Sequence, residues 1–117
     1  MISAYHTALS GLQASGTRLQ SNGKNIANAD TDNFKKTGVT NTNRGPQGVK
    51  TEATKIKSPA TAVFQDTSAG SEPVELSNVN LATEMVDMKL NSITYKANLK
   101  TIESVNDMTG SLLKIKS

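Results

Sequence analysis

Two stretches with the apolar spacing of a helix, one at each end of the chain, constrain the fold more than any other feature. Near the start, apolar or small residues recur at alternating intervals of three and four. They are Ile2, Tyr5, Leu9, Leu12, Gly16, Leu19, Gly23 and Ile26. This spacing is typical of a coiled-coil helix with a single seam. Each of the two glycines costs such a helix about 1 kcal/mol but lets a partner backbone come close, so we expect neighbours to complete the helix.

The second stretch follows Asn80, which is a predicted N-cap, and Glu84 lies near the positive end of the helix dipole. We expect this helix to run nearly to Lys116. Its stripe comprises Leu81, Met85, Met88, Ser92, Tyr95, Leu99, Ile102, Val105, Met108 and Leu112. At 1.5 Å per residue, both helices are too long for the segment between them to cover. The sequence therefore predicts that they pack against each other, antiparallel, and against other chains.

The segment between the helices has a different character. Turn-forming residues cluster from Asn28 to Asn33, and the region from Thr37 to Ser77 contains all three prolines. Short β-prone pieces occur at Gly48 to Ile56 and Ala60 to Phe64. The predicted fold is mainly α, an antiparallel coiled coil of the terminal helices with a short loop or β-hairpin in the middle. We expect one structural domain with three parts, residues 1–28, 29–79 and 80–117.

Catalytic and metal chemistry find no support in the sequence. The 117 residues include no Cys and no Trp, and the single histidine, His6, has no Cys or carboxylate at metal-ligand spacing. No Gly-x-Ser-x-Gly elbow or phosphate-binding glycine loop occurs. We expect a protein that is not an enzyme, with no cofactor, no metal and no small-molecule substrate.

The charge pattern leaves two interpretations open. The net charge is +3, and the basic residues concentrate between Lys35 and Lys57. They could serve a soluble helical adaptor or a weak nucleic-acid-binding module, although no aromatic residue is interleaved with them. Alternatively, they could meet the acidic stretch from Asp66 to Asp87 between subunits. Residues 1–14 lack Lys and Arg, so we expect no cleaved secretory signal, and no stretch is long and apolar enough for membrane insertion.

Specific motifs add a resemblance. The segment KNIANADTDNFKK, from Lys24 to Lys36, resembles the signature that follows the first helix in flagellar rod and hook proteins. The residues that fit it are Asn25, Ile26, Ala27, Asn28, Thr31, Phe34 and Lys35, and we take Asn25, Asn28, Thr31, Phe34 and Lys35 as the turn motif. The opening twenty residues and the segment from Ser77 to Lys116 are similar to the terminal helices of the same family. In place of the usual glycine-containing turn, this chain has Asp32 and Asn33, where Asn33 can adopt a left-handed conformation.

The resemblance implies an axial subunit of the bacterial flagellar basal body. Such subunits polymerise through their terminal helices in the periplasmic rod and are exported by the flagellar type III apparatus without a cleaved signal. The short middle segment is most like that of a proximal-rod member. The implied partners are other rod subunits and further copies of the chain, with no nucleic acid. The predicted assembly residues are Ile2, Tyr5, Leu9, Leu12, Leu19, Ile26, Met85, Met88, Tyr95, Leu99, Ile102 and Leu112.

Overall fold

The computed structural model describes residues 1–116 as two long helices with two β-hairpins between them. The elements are α1 (Ile2–Ala27), β1 (Thr37–Asn43), β2 (Val49–Lys55), β3 (Ala62–Thr67), β4 (Gly70–Glu75) and α2 (Leu81–Lys116). The helices pack side by side and antiparallel, since Gly11 lies against Asn98 and Gly16 against Tyr95. The molecule is elongated, with extents of 80 × 24 × 19 Å. Its radius of gyration is 20.8 Å, whereas a compact chain of this length has about 13 Å.

Local sequence signals set the helix ends. At the C-terminus of α1, the Asn28 side-chain amide donates to the carbonyl of Lys24 at 2.9 Å. In the turn that follows, Asn33 has a φ of 59°, so the predicted left-handed conformation is confirmed. At the start of α2, the Asn80 side-chain oxygen accepts from the backbone N–H of Thr83 at 3.0 Å. The predicted N-cap is therefore confirmed as well.

The first hairpin, β1–β2, lies along α1. Near its tip, the backbone N–H of Val49 donates to Ser10 Oγ at 3.2 Å. At its base, Ser21 Oγ donates to the carbonyl of Thr37 at 2.8 Å. The strands pair antiparallel from Thr37 opposite Lys55 to Asn43 opposite Val49. This hairpin thus covers one flank of α1 over about half the length of the helix.

The second hairpin, β3–β4, projects from the body, and we call it the arm (residues 62–75). Within the described residues, β3 and β4 contact each other but make no contact with β1, β2 or either helix. Only its base is fixed: the carbonyl of Glu75 accepts from the N–H of Asn33 at 2.7 Å, and the N–H of Leu76 donates to the carbonyl of Thr61 at 2.9 Å. Since α2 is about 54 Å long, a substantial part of the 80 Å extent lies beyond this helix.

The predicted fold class is wrong in its middle segment. Four strands in two hairpins, which make up 22% of the chain, replace the expected short loop or single hairpin. Sequence reasoning missed β1, whose Thr, Gly and Asn residues favour turns until pairing with β2 and packing on α1 hold them extended. It also missed β4, which contains Pro73. Proline is tolerated there because the arm has only two strands, so each has an edge that needs no donor.

A buried polar cluster joins the end of α1, the start of β1 and the start of α2. We call it the junction, and its members are Asn22, Asn25, Lys36, Glu84 and Asn91. Glu84 is only 5% exposed, and its Oε2 accepts from the side-chain amides of Asn22 at 2.8 Å and Asn25 at 3.2 Å. Lys36 Nζ is 4.0 Å from the other carboxylate oxygen. Asn91 Nδ2 donates to Asn22 Oδ1 at 2.8 Å.

Asn25 is the central residue of the junction, since its side chain also bonds to the backbone of β1. Its Oδ1 accepts from the N–H of Thr37 and its Nδ2 donates to the carbonyl of the same residue, both at 2.9 Å. This amide thereby mimics a paired strand. The Asn25 side chain is only 1% exposed. Bulk water therefore cannot replace any of its hydrogen-bond partners unless the structure opens.

The first prediction concerns this residue. Asn25→Ala should lower the free energy of unfolding by about 3 kcal/mol, because it leaves the Thr37 backbone and part of the Glu84 carboxylate buried without partners. Urea unfolding followed by circular dichroism measures the loss. Asn41→Ala, at an exposed position of β1, is the matched control and should change stability by less than about 0.5 kcal/mol. Equal effects of the two substitutions would contradict the assigned role of Asn25.

Candidate functional site

The contact between the helices is made largely by small and polar side chains. On α1, the buried or half-buried contact positions recur at intervals of three, four and seven. They are Ala8, Gly11, Ser15, Asn22 and Asn25. On α2, Glu84, Asn91, Asn98 and Val105 recur at intervals of seven. A Cβ added to Gly11 would lie only 2.9 Å from Asn98 Oδ1, which shows how closely the helices approach there.

The predicted apolar stripes coincide with this contact only in part, at Gly16, Tyr95 and Val105. On α1, most of the other stripe positions, such as Leu9, Leu12 and Ile26, follow a contact position by one residue, which turns them about 100° around the helix. On α2, the predicted stripe shares Met88, Tyr95 and Ile102 with the half-buried side of the helix but includes the exposed Met85 and Leu99 in place of Glu84 and Asn98. The prediction considered only apolar residues and therefore missed the polar contact positions Glu84, Asn91 and Asn98. Their seven-residue spacing was the signal that could have identified them.

The structure places the predicted assembly residues in two groups. Half-buried are Leu9, Leu12, Leu19, Ile26, Met88, Tyr95 and Ile102, and exposed are Ile2, Tyr5, Met85, Leu99 and Leu112. None of them is fully buried. The two stripes adjoin, because Gly16 of the first lies 3.9 Å from the ring of Tyr95 of the second, measured from an ideal Cβ on the glycine. Together they form one surface along the helix pair, which we call the apolar face.

The apolar face continues into an open tip where α2 extends past the start of α1. Thr109 Oγ1 donates to Met1 Sδ at 3.9 Å, so the last two turns of α2 have no opposing residue on α1. These turns carry Leu112, Leu113 and Ile115, and the last of them is 81% exposed. At the start of α1, Ile2, at 77% exposure, lines a groove with Val105 and Thr109, and Met1 lines a neighbouring groove with Leu112. Leu113 and Ile115 were not among the predicted residues.

Few apolar residues are buried in this structure, and its accessible surface is large. Only Ala8, Ala14 and Val105 are buried apolar residues in the described chain. The accessible surface is 8196 Å², whereas a globular monomer of 12.4 kDa exposes about 6,100 Å². The difference, about 2,000 Å², is the size of a substantial protein–protein interface. Part of this excess follows from the elongated shape, and it includes large apolar side chains such as Ile2, Leu113 and Ile115, which are 77%, 66% and 81% exposed.

The predicted turn motif connects the segment after α1 to the segment before α2. Thr31 Oγ1 donates to Asn28 Oδ1 at 3.2 Å, and the carbonyl of Phe34 accepts from the N–H of Asn78 at 3.3 Å. Asn78, which precedes α2, also bonds to the backbone of Lys36 and Ile56. The motif residues thus lie close together at the root of both hairpins, where they fix the direction in which α2 begins.

An ion pair of the same motif holds the base of the arm. Lys35 Nζ donates to Glu75 Oε1 at 2.5 Å, and the N–H of Ala60 donates to the same oxygen at 2.6 Å. The bond from Lys35, with the bond from Ala60 as the second cause, holds the pKa of Glu75 below its ordinary value. The arm is therefore anchored through a carboxylate that must stay ionised.

Groups that would support chemistry do not converge in the described part of the chain. Residues 1–116 contain no cluster of three His, Cys, Asp or Glu side chains placed to hold a metal ion. The ring of His6 packs edge-on against Tyr5, with 6.1 Å between the ring centroids. None of the described helices combines the length and hydropathy needed to cross a membrane.

The closing third of the chain matches a known protein family. Residues 72–115, which include β4 and nearly all of α2, match the family described as flagellar basal body rod FlgEFG protein C-terminal. The resemblance to flagellar basal body rod proteins predicted from the sequence is thereby confirmed. That family comprises structural components of the rod and not enzymes. A comparison with curated proteins finds no match.

The second prediction concerns the pH dependence of the arm. Because the pKa of Glu75 is lowered on folding, its contribution to stability is complete above the ordinary carboxyl pKa and is lost as the pH falls through the lowered value. The protection factors of the β3 and β4 amides, which are exchange rates corrected for the slower intrinsic exchange in acid, should therefore fall on acidification. Glu75→Gln should show fast exchange already at neutral pH, whereas Glu72→Gln, on the same strand, should behave like the unmodified chain. Slow exchange in Glu75→Gln would refute the anchor.

Proposed function

Since its closing segment is that of a flagellar basal body rod protein, we propose that this chain is a structural subunit of the rod. It polymerises through its terminal helices into the axial drive shaft. The observation that carries this proposal is the apolar surface left open on a folded chain, which includes the apolar face and the tip. Burial of that surface stabilises an assembly by about 25 cal/mol for each Å² removed from water.

The polar helix contact explains why this surface is available for neighbours. The side chains that join α1 to α2 are mostly small or hydrogen-bonded. The leucine and methionine stripes are therefore not fully buried within one copy. A coiled-coil stripe that flanks an existing helix pair suits the packing of a third helix. Under this proposal, residues 1–28, 29–79 and 80–117 act as one structural domain that is completed by its neighbours.

The partners under this proposal are other rod subunits and further copies of the chain. The subunit resides in the periplasmic part of the rod and reaches it through the flagellar type III apparatus without a cleaved signal. Its short middle segment suits the proximal end of the rod, where the resemblance in size is greatest. No step of this assembly requires a cofactor or a catalytic group.

The distribution of charge gives little support to a nucleic-acid-binding module. Two cations of the basic middle segment lie beside carboxylates of the same chain, Lys35 beside Glu75 and Lys36 beside Glu84. The most exposed aromatic ring in the described residues, that of Phe64, lies on the arm with Asp66 and not among lysines. A single-strand binding surface needs aromatic rings and cations on the same groove.

The third prediction tests the apolar face. Leu99→Asp and Leu12→Asp should abolish incorporation into the rod and motility, because each places a charge where a neighbouring helix packs. Leu99 is exposed, so Leu99→Asp should change the free energy of unfolding by less than about 0.5 kcal/mol. Ser104→Asp, also exposed on α2, is the control and should leave motility intact. Normal motility with Leu99→Asp would refute the proposal.

The fourth prediction uses salt to separate the two classes of function. Assembly through apolar surfaces should persist or strengthen as salt rises, particularly with sulfate. Binding to single-stranded nucleic acid should instead weaken steeply between low and moderate salt. Sedimentation velocity of the purified chain, with and without an oligonucleotide, measures both. Salt-sensitive oligonucleotide binding with no salt-resistant assembly would favour the alternative.

A further inference from the structure

The arm presents two different faces, and one of them carries an unpartnered aromatic ring. Side chains alternate across a strand, so the antiparallel register places Phe64 and Asp66 on the same face, with Pro73 directly opposite Phe64. Phe64 is 77% exposed. Val63 and Val74 occupy the other face and are half-buried. The arm thus exposes its larger apolar group and keeps its smaller ones partly covered.

A two-stranded hairpin is marginally stable in water when nothing packs against it. Within the described residues, this one contacts no helix and no other hairpin. Its base is pinned by the bonds from Asn33 and Lys35 to Glu75, and its strands make no contact with α2 of the same copy. Phe64 is therefore left available to a second molecule.

The outer side of α2 offers a surface that can cover Phe64. Val86, Leu90 and Ile93 are all exposed and are spaced by four and three residues, so they form a second apolar stripe, which we call the outer stripe. Val86 and Ile93 lie on the side of α2 opposite the contact with α1, and Leu90 lies at the edge of the stripe, where it also borders a groove with Arg18. None of these three residues is among the predicted assembly residues.

The charges beside the outer stripe complement those of the arm. Lys89 and Lys96 each follow a stripe residue by three positions, which puts both on the same side of the stripe. Neither forms an ion pair in residues 1–116, and the same is true of Asp66 on the arm. Asp87 is the one carboxylate close to the stripe, and it lies on the side of the stripe opposite the two lysines.

The lengths of the outer stripe and of the lysine pair also match the spacing of Phe64 and Asp66 on the arm. The stripe from Val86 to Ile93 and the lysine pair each extend about 10 Å along the helix. Phe64 and Asp66 are about 7 Å apart along β3. A hairpin laid against α2 can therefore place the ring on the stripe and the carboxylate beside a lysine at the same time.

We infer that the arm of one copy docks on the outer stripe of α2 of a second copy, with Phe64 packed against Val86, Leu90 and Ile93 and with Asp66 facing Lys89 or Lys96. This inference rests on the proposed function, because it names one of the contacts between neighbouring subunits. The area covered by one ring is small, so the contact acts together with the apolar face and the tip and sets the position of one copy on the next.

The absence of cysteine from the chain makes a cross-linking test specific. Full-length Phe64→Cys and Ile93→Cys variants, one of them enlarged by a tag, are mixed under assembly conditions and oxidised. We expect a disulfide between the two variants. The control pair, Phe64→Cys with Gln13→Cys on the exposed side of α1, should give none. The double variant at high dilution should form no disulfide within one molecule.

Charge reversal then tests the orientation of the contact. Asp66→Lys in the Phe64→Cys chain should lower the cross-linking yield about fivefold, because the arm then faces two like charges. Lys89→Asp with Lys96→Asp in the Ile93→Cys chain should restore it. Loss of yield without restoration would contradict the pairing of these charges and overturn the proposed orientation.

The outcomes distinguish this inference from the function on which it rests. If the unmodified chain assembles and the Phe64→Cys and Ile93→Cys pair links no better than the control pair, the docking of the arm is refuted and the axial subunit stands. If the unmodified chain does not assemble at any concentration, both proposals fail. Assembly together with the specific disulfide and its dependence on charge supports both.

Discussion

The buried carboxylate of Glu84 is the constraint on which the rest of this structure depends. A carboxylate removed from water is costly unless hydrogen bonds and a nearby cation compensate for the lost hydration. Here the amides of Asn22 and Asn25 donate to it and Lys36 lies 4.0 Å away. A shift of α2 by one turn against α1 would bury Glu84 without these donors. The junction therefore fixes the register of a helix pair whose apolar side chains would tolerate several registers.

The same constraint explains why so little apolar surface is covered in one copy. Positions that a self-sufficient helix pair would give to leucine are occupied by Ser15, Asn22, Asn91 and Asn98. These residues specify an arrangement at close approach but contribute little hydrophobic stabilisation. Under the proposed function, association adds to stability, because a partner that binds only the folded chain raises its stability by mass action. The polar contact sets the shape of the copy and leaves the apolar stripes half-buried or exposed.

The features that the sequence predicted correctly are those set by neighbouring residues. Both helices, the N-cap Asn80 and the left-handed Asn33 follow from local capping and backbone preferences. The strands β1 and β4 depend on pairing with a second strand, and their turn-prone residues gave no local signal. The helix contact was displaced by one residue on α1 because the amphipathic pattern marks the most apolar side of a helix. In this chain that side is not the one that faces α2.

The shape of the molecule bears on the kind of assembly it can form. Contacts between identical patches produce closed dimers, whereas contacts between two different patches of the same chain propagate until rotation closes a ring or a helix continues. The arm and the outer stripe are different surfaces at different positions of an 80 Å molecule. Docking of one on the other leaves each copy with one surface still free. A contact of this type extends without limit along a helical path, which is the geometry that a rod requires.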